Sequence, residues 1–312
     1  MKKETEKKPD YVFHLTTHKK VIDSRFVKMG SLISLLRVKH YVKNILILIP
    51  LCCSGQLMTT PDLIPMVALA FLSFSLISSS IYIINDIQDK GKDAQHPKKK
   101  FRAIASGTVK TSKAITFSVV LAIVATGLSI YISVQSSWSV AAILLTYLIL
   151  NIAYSLRLKH VPIIEIAILS SGFLLRVLYG GFATGIEVSS WLYLTVLSFS
   201  FYLGLGKRRN ELENHTQRET RKVLNQYSQR FLDRNMYMFL ALTICFYSLW
   251  AKEQGNWALT SVPIVMLSCM RYSYVIENES DGDPIEVILN DKCLIFMGAL
   301  YAVYMFTALY LV

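Results

Sequence analysis

The stretch PMVALAFLSFSLISSSIYII, residues 65–84, runs directly into NDIQDKGKD, residues 85–93. Twenty residues without a charge are enough to cross the hydrocarbon core of a bilayer as a helix. The next nine residues pack three carboxylates and a carboxamide together at the boundary. If the helix runs on past the membrane edge, Asn85, Asp89 and Asp93 are four apart and share one face, with Asp86 beside them. Carboxylates gathered this way repel each other unless a cation sits among them. Hard divalent cations take oxygen ligands of this kind, and Mg²⁺ usually brings substrate phosphates with it. The pattern predicts a Mg²⁺-diphosphate site at a membrane surface. The alternative is a helix end whose acids are solvated.

The remainder of the chain repeats the apolar half of this pattern. Of 312 residues, 53% are hydrophobic, and they are gathered into long runs. Nine spans are predicted, at about 44–60, 63–84, 114–134, 138–156, 162–182, 190–206, 235–252, 257–275 and 292–312. The expected fold class is therefore all-α: a polytopic membrane protein, a bundle of nine transmembrane helices, forming a single domain over 31–312. The close spacing excludes a β-barrel, whose strands alternate in polarity over about 10 residues. Residues 1–30 are polar and basic, without the apolar segment of a signal peptide, and are expected to be a mobile cytoplasmic tail.

Charge sets the orientation. With the N-terminus inside, 31 of the 33 Lys and Arg residues fall on the inner side, as the positive-inside rule requires. The acidic cluster then faces the cytoplasm across the inner membrane, within reach of soluble substrates. The net charge of +12 should attract anionic lipid headgroups and anionic substrates. Nucleic acid is not the expected partner, because the basic residues border membrane spans. Cys52, Cys53, Cys245, Cys269 and Cys293 lack metal-ligand spacing and read as small buried hydrophobes.

A phosphorylated substrate on a Mg²⁺ site also needs cations. They stand at the span boundaries: Lys43 with Asn44, Arg102, Lys159 with Arg157, and Lys207-Arg208-Arg209. Arg forks match phosphate oxygens in pairs, whereas Lys acts as a point charge. Arg176 lies mid-span, where a charge costs about 2.5–3.5 kcal/mol by insertion scales. It must face the bundle interior or a wet cavity, either serving a site or pairing with Glu165. Tyr154 is either an interfacial aromatic or a phosphate ligand. Asp281-Gly282-Asp283-Pro284 with Glu286 lacks helical spacing and reads as a turn.

Several motifs in order resemble the UbiA superfamily of intramembrane prenyltransferases. They are Asn85-Asp86-x-x-Asp89-x-x-x-Asp93, Leu36-Arg37-Val38-Lys39-His40-Tyr41-Val42-Lys43-Asn44, the run to Gly107 with Phe101-Arg102, Tyr154 to His160, Gly206-Lys207-Arg208-Arg209-Asn210-Glu211, and Arg271-Tyr272 through Pro284. Within that superfamily they are most similar to the branch that moves phosphoribose onto a lipid phosphate. The resemblance implies a Mg²⁺-dependent transfer of 5-phosphoribosyl from phosphoribosyl diphosphate to a polyprenyl phosphate, releasing pyrophosphate. It makes Asp86, Asp89 and Asp93 catalytic, with Asn85 completing the metal set. Lys43, Asn44, Arg102, Tyr154, Lys159, Arg176, Lys207, Arg208 and Glu211 become substrate-binding candidates. Prenyl-transferring members carry a second Asp-rich motif after the sixth span, and here Lys207-Arg208-Arg209 takes that place. A prenyltransferase acting on an aromatic acceptor, and more remotely a transporter, are the rival expectations. A homo-oligomer is left open.

Overall fold

A computed structural model of the chain describes residues 32–96, 99–213, 222–278 and 283–311. The basic tail, Lys98 and Asp281-Gly282 lie outside the described residues. The helices are α1 (Ile49–Cys53), α2 (Leu63–Gln88), α3 (Lys90–Gln95), α4 (Thr111–Gln135), α5 (Ser139–Leu156), α6 (Ile164–Thr184), α7 (Ser190–Glu213), α8 (Gln229–Gln254), α9 (Asn256–Leu259), α10 (Val262–Asn278), α11 (Pro284–Asn290) and α12 (Lys292–Tyr310). No strand occurs among the described residues.

Among the described residues, six helical stretches are long and apolar enough to cross a membrane: α2, α4, α5, α6, Asn256–Glu277 and α12. The residues expected to span at 190–206 and 235–252 lie in the longer helices α7 and α8, which are not among those six and which carry the charged turns KRRNELE at the end of α7 and QRFLDRN at the start of α8. The first expected span, 44–60, takes a different form. Val38–Leu48 is a 3₁₀ helix, and only the five residues of α1 follow it. Pro50 has no N–H to continue the helical ladder, and Gly55 turns the chain at φ +70°. The close fit of this segment explains its irregularity. A β-carbon on Gly180 of α6 would lie 1.9 Å from the Ile47 carbonyl oxygen, so only glycine admits that approach.

The chain divides into two compact units. The first takes the described residues through Lys39 together with Leu76–Ile123. Its core is Leu35, Ile83, Ile104, Val109, Ala114 and Leu121, and Ser80 and Ser118 join two of its helices at 2.9 Å. The second takes His40–Ser75 and Val124 onward. One of its cores gathers Tyr202, Leu232, Met236, Tyr272 and Ile276. Another gathers Leu192, Tyr247, Trp250 and Met305. Buried hydroxyls such as Ser73 and Tyr179, 3.0 Å apart, let helices approach and bond across an apolar interior.

The expected turn near Asp283 is instead a helix start. Asp283 accepts the Ile285 amide at 3.1 Å and Pro284 opens α11. The proline that breaks a helical pattern internally is well placed at a first helical position, where its missing N–H is not needed.

Candidate active site

In the first unit, α2 carries Asn85 and Asp86 to the end of its apolar run. Asp89 interrupts the helix for one residue, and α3 resumes at Lys90. The helical register survives, because Asp89 N–H bonds Asn85 C=O at 2.9 Å and Asp93 N–H bonds Asp89 C=O at 2.8 Å. The acids therefore stay on neighbouring turns. Asp86 and Asp93 are buried, while Asn85 and Asp89 are half-buried. Arg102, which follows the 3₁₀ turn Lys99–Phe101, donates Nη1 to Asp86 at 3.1 Å and to Asp93 at 2.6 Å. Arg37 pairs with Asp86 too and lies over the Tyr82 ring, 5.2 Å from its centroid. Arg102 was expected on a substrate phosphate; the structure sets it on the carboxylates. Arg37 was not singled out at all. Its signal was its place six residues before Lys43, in the same basic motif.

In the second unit, the triplet Lys207-Arg208-Arg209 fans out, because successive helical side chains point about 100° apart. Lys207 Nζ meets Asp283 Oδ2 at 2.9 Å. Arg209 Nε donates to Asp233 at 2.6 Å. Arg208 turns inward at 1% exposure and forks onto both Glu165 oxygens at 2.6 Å each, with Glu211 as its third partner. Burial opposes the guanidinium charge, but Glu211 and Glu165 outweigh it and raise the Arg208 pKa. Arg208 and Glu211, both expected at the substrate, therefore satisfy each other inside the bundle. Tyr154 is half-buried and within electrostatic reach of Arg208. Lys159 is half-buried in the 3₁₀ turn Leu158–His160.

Arg176 faces the interior, but not toward Glu165. Its Nε donates to Asn44 Oδ1 at 2.7 Å, Nη2 to the Tyr147 hydroxyl at 3.0 Å, and Nη1 to the Gly172 carbonyl. The guanidinium also lies 4.9 Å from the Phe74 centroid and 5.1 Å from that of Tyr147. Asn44 uses its other end on Ser75 Oγ at 2.9 Å, so its amide is committed to holding Arg176. No carboxylate pairs with Arg176 among the described residues. Its charge stays uncompensated beside Lys43. Lys43 lies over Phe173, 6.0 Å from the ring centroid, and has no hydrogen-bond acceptor among the described residues. Burial, then the charge of Lys207, brings its pKa down to about 8. Burial works the other way on Asp283, yet Lys207 and Lys43 prevail and hold it down to about 2.

The model of the UbiA prenyltransferase family matches residues 47–298. The chain belongs to the UbiA prenyltransferase family. It is therefore an integral membrane protein and a transferase by family. Decaprenyl-phosphate phosphoribosyltransferase of Corynebacterium glutamicum is 34% identical over 274 residues, covering 85% of this chain and 82% of that one. The Mycobacterium tuberculosis protein of the same name is 31% identical over 279 residues, covering 85% and 90%. Among solved structures, a UbiA homolog from Archaeoglobus fulgidus bound to DMAPP and Mg²⁺ superposes with a TM-score of 0.65 at 16% identity, covering 88% of this chain and 97% of that one. A structure of digeranylgeranylglyceryl phosphate synthase gives 0.66 at 18% identity, covering 91% and 99%. The UbiA fold is thus shared across almost the whole chain.

For this UbiA-family chain, the donor set at 85–93 suits a hard cation: three carboxylates and a carboxamide, all oxygen ligands. Among the described residues, however, no three acidic, His or Cys side chains are gathered as a metal-holding group. Asp86 Oδ1 and Asp93 Oδ2 are each bonded to arginine. The donors fit Mg²⁺ chemically, and loading it would exchange one cation for another.

Proposed function

We propose that this protein transfers 5-phosphoribosyl from phosphoribosyl diphosphate to a polyprenyl phosphate, decaprenyl phosphate or a similar lipid, at the cytoplasmic face of the inner membrane. The reaction makes it a Mg²⁺-dependent phosphoribosyltransferase that supplies a lipid-linked pentose for cell-envelope polysaccharide. The observation that carries this reading is the cationic cluster of the second unit. Lys43, Arg176 and Lys207 outnumber Asp283 in the unit where a prenyl-transferring member would place its second set of acids. The named relatives, most of whose length this chain covers, support the same reading.

Asp86, Asp89 and Asp93, with Asn85, would supply the oxygen ligands for Mg²⁺. When bound there, Mg²⁺ neutralises charge growing on the leaving diphosphate. Arg37 and Arg102 fix the Asp86 and Asp93 carboxylates in place. An oxygen of the lipid phosphate forms a bond to ribose C1 as the C1–O bond to diphosphate breaks, and pyrophosphate leaves with the electron pair. A phosphate monoester is already anionic at neutral pH, so no strong general base is required. Attack opposite the leaving group inverts C1.

Purified protein in liposomes, given radiolabelled phosphoribosyl diphosphate, polyprenyl phosphate and Mg²⁺, should move label into the organic phase. Label that stays aqueous, together with transfer from a prenyl diphosphate to an aromatic acceptor, would replace this reading with prenyl transfer.

A further inference from the structure

We propose that Lys43, Lys207, Asp283 and Tyr272 form a binding site for a dianionic phosphate monoester. The inference rests on the transferase reading above and assigns one of its anions to named residues.

Two donors at this place lack acceptors. The Lys43 ammonium has three N–H groups to give and no hydrogen-bond acceptor among the described residues. The Tyr272 hydroxyl, on a residue only 4% exposed, also has no hydrogen-bond partner among the described residues. Both groups feel Asp283 electrostatically. Lys43 is half-buried and Tyr272 buried; buried donors are nearly always satisfied in folded proteins, so the orphaned Tyr272 hydroxyl, together with an ammonium that has no acceptor, points to something that is bound there.

Charge narrows what that ligand is. Lys43 feels the charges of Lys207 and Arg176, and Asp283 is the carboxylate that acts on it and pairs with Lys207 at 2.9 Å. Three cations against one anion leave two positive charges over. A carboxylate would cancel one of them. A phosphate monoester dianion cancels both and offers three acceptor oxygens. Asp283 has a further part. It is fixed by capping α11 through the Ile285 amide at 3.1 Å, and it holds Lys207 Nζ at 2.9 Å. That anchoring keeps the Lys207 ammonium in place before the ligand arrives, which lowers the ordering cost of binding.

The proposed reaction has two phosphate monoesters: the 5-phosphate of the donor and the phosphate of the lipid acceptor. They are separated by using ribose 5-phosphate and geranyl phosphate as probes on the full-length protein in nanodiscs, without Mg²⁺ and without turnover. The readout is equilibrium affinity, with protection of Lys43 and Lys207 from amine acylation followed by mass spectrometry. The expected result is that one probe or the other binds and protects both lysines. Ribose 5-phosphate would mark the donor's 5-phosphate, and geranyl phosphate the acceptor's phosphate.

Lys207→Met or Lys43→Met should weaken that probe on the order of 10-fold or more, consistent with loss of a charge-assisted contact. Lys43→Arg should keep most of the affinity. Tyr272→Phe, which removes only the hydroxyl, should weaken it by roughly 3- to 10-fold. Failure of both probes to protect the wild-type lysines overturns the site, as does equal binding by the Met variants. Protection without lipid labelling would leave the site standing and refute the reaction. Lipid labelling without protection would do the reverse.

Discussion

Replacing Arg208 by Met separates a structural ion from a substrate ligand. Arg208 is 1% exposed, Glu165 is fully buried, and the guanidinium serves both Glu165 oxygens and Glu211. Removing it leaves two carboxylates facing each other in an apolar bundle, with the Tyr227 hydroxyl 3.5 Å from Glu165 as a neutral contact. Breaking a buried pair in this way costs about 3–5 kcal/mol, because the surviving charge is stranded. For a chain of this size that corresponds to a fall in Tm on the order of 10 °C. Removing all the charges together, in Arg208→Met, Glu165→Gln, Glu211→Gln, should recover more than half of the loss, since a whole pair is often replaceable at little cost. Thermal unfolding of the purified variants in detergent measures both. The KM of each substrate, corrected for folded protein, should stay within about threefold, as for a residue that touches neither. A single variant that melts like the wild type while one KM climbs tenfold would refute the reasoning and return Arg208 to the substrate site.

Other consequences can be checked as directly. Asp89→Ala should lower kcat/KM on the order of 10²-fold or more with an unchanged circular dichroism spectrum, and near-full activity would sink the metal assignment. Lys43, with Lys207, Arg176, Asp283 and Tyr147 around it, has a pKa of about 8. It is therefore charged below pH 8 and neutral above it. The kcat/KM profile should lose activity as pH rises through that point, and Lys43→Arg should push the loss to higher pH; an unshifted limb would assign it to another group. Gly180→Ala should destabilise the fold by roughly 1–3 kcal/mol or more, because its β-carbon would meet the Ile47 carbonyl at 1.9 Å; wild-type melting would contradict that close approach.

Much of the fold was legible because membrane helices announce themselves by length: residues 65–84 need no neighbour to be read as a span. The expected span at 44–60 takes an irregular form instead, since the contact between Ile47 and Gly180 is a tertiary event with no local trace. The acidic cluster was legible for the opposite reason. Its residues lie along little more than two turns of one helical register that runs from α2 into α3, so spacing alone sets their face.

The cations were harder. Lys207, Arg208 and Arg209 are adjacent in sequence but separate in space, reaching Asp283, Glu165 and Asp233 respectively. Adjacency on a helix is not proximity of side chains, and nothing in the triplet marks which member turns inward. Glu165 lies eleven residues from Arg176 on one helix, about 16 Å along its axis, and its partner came from α7 instead. Asp283 was discounted because Pro284 follows it, although a proline at the first helical position is what makes that aspartate a cap.

The central claim is tested most directly by the mass of the lipid product. Wild-type protein in liposomes, with polyprenyl phosphate, phosphoribosyl diphosphate and Mg²⁺, should yield a lipid heavier than the acceptor by one phosphoribosyl group, with pyrophosphate released in equal amount. An unmodified polyprenyl phosphate after full incubation, under conditions where the protein remains folded, would contradict the account.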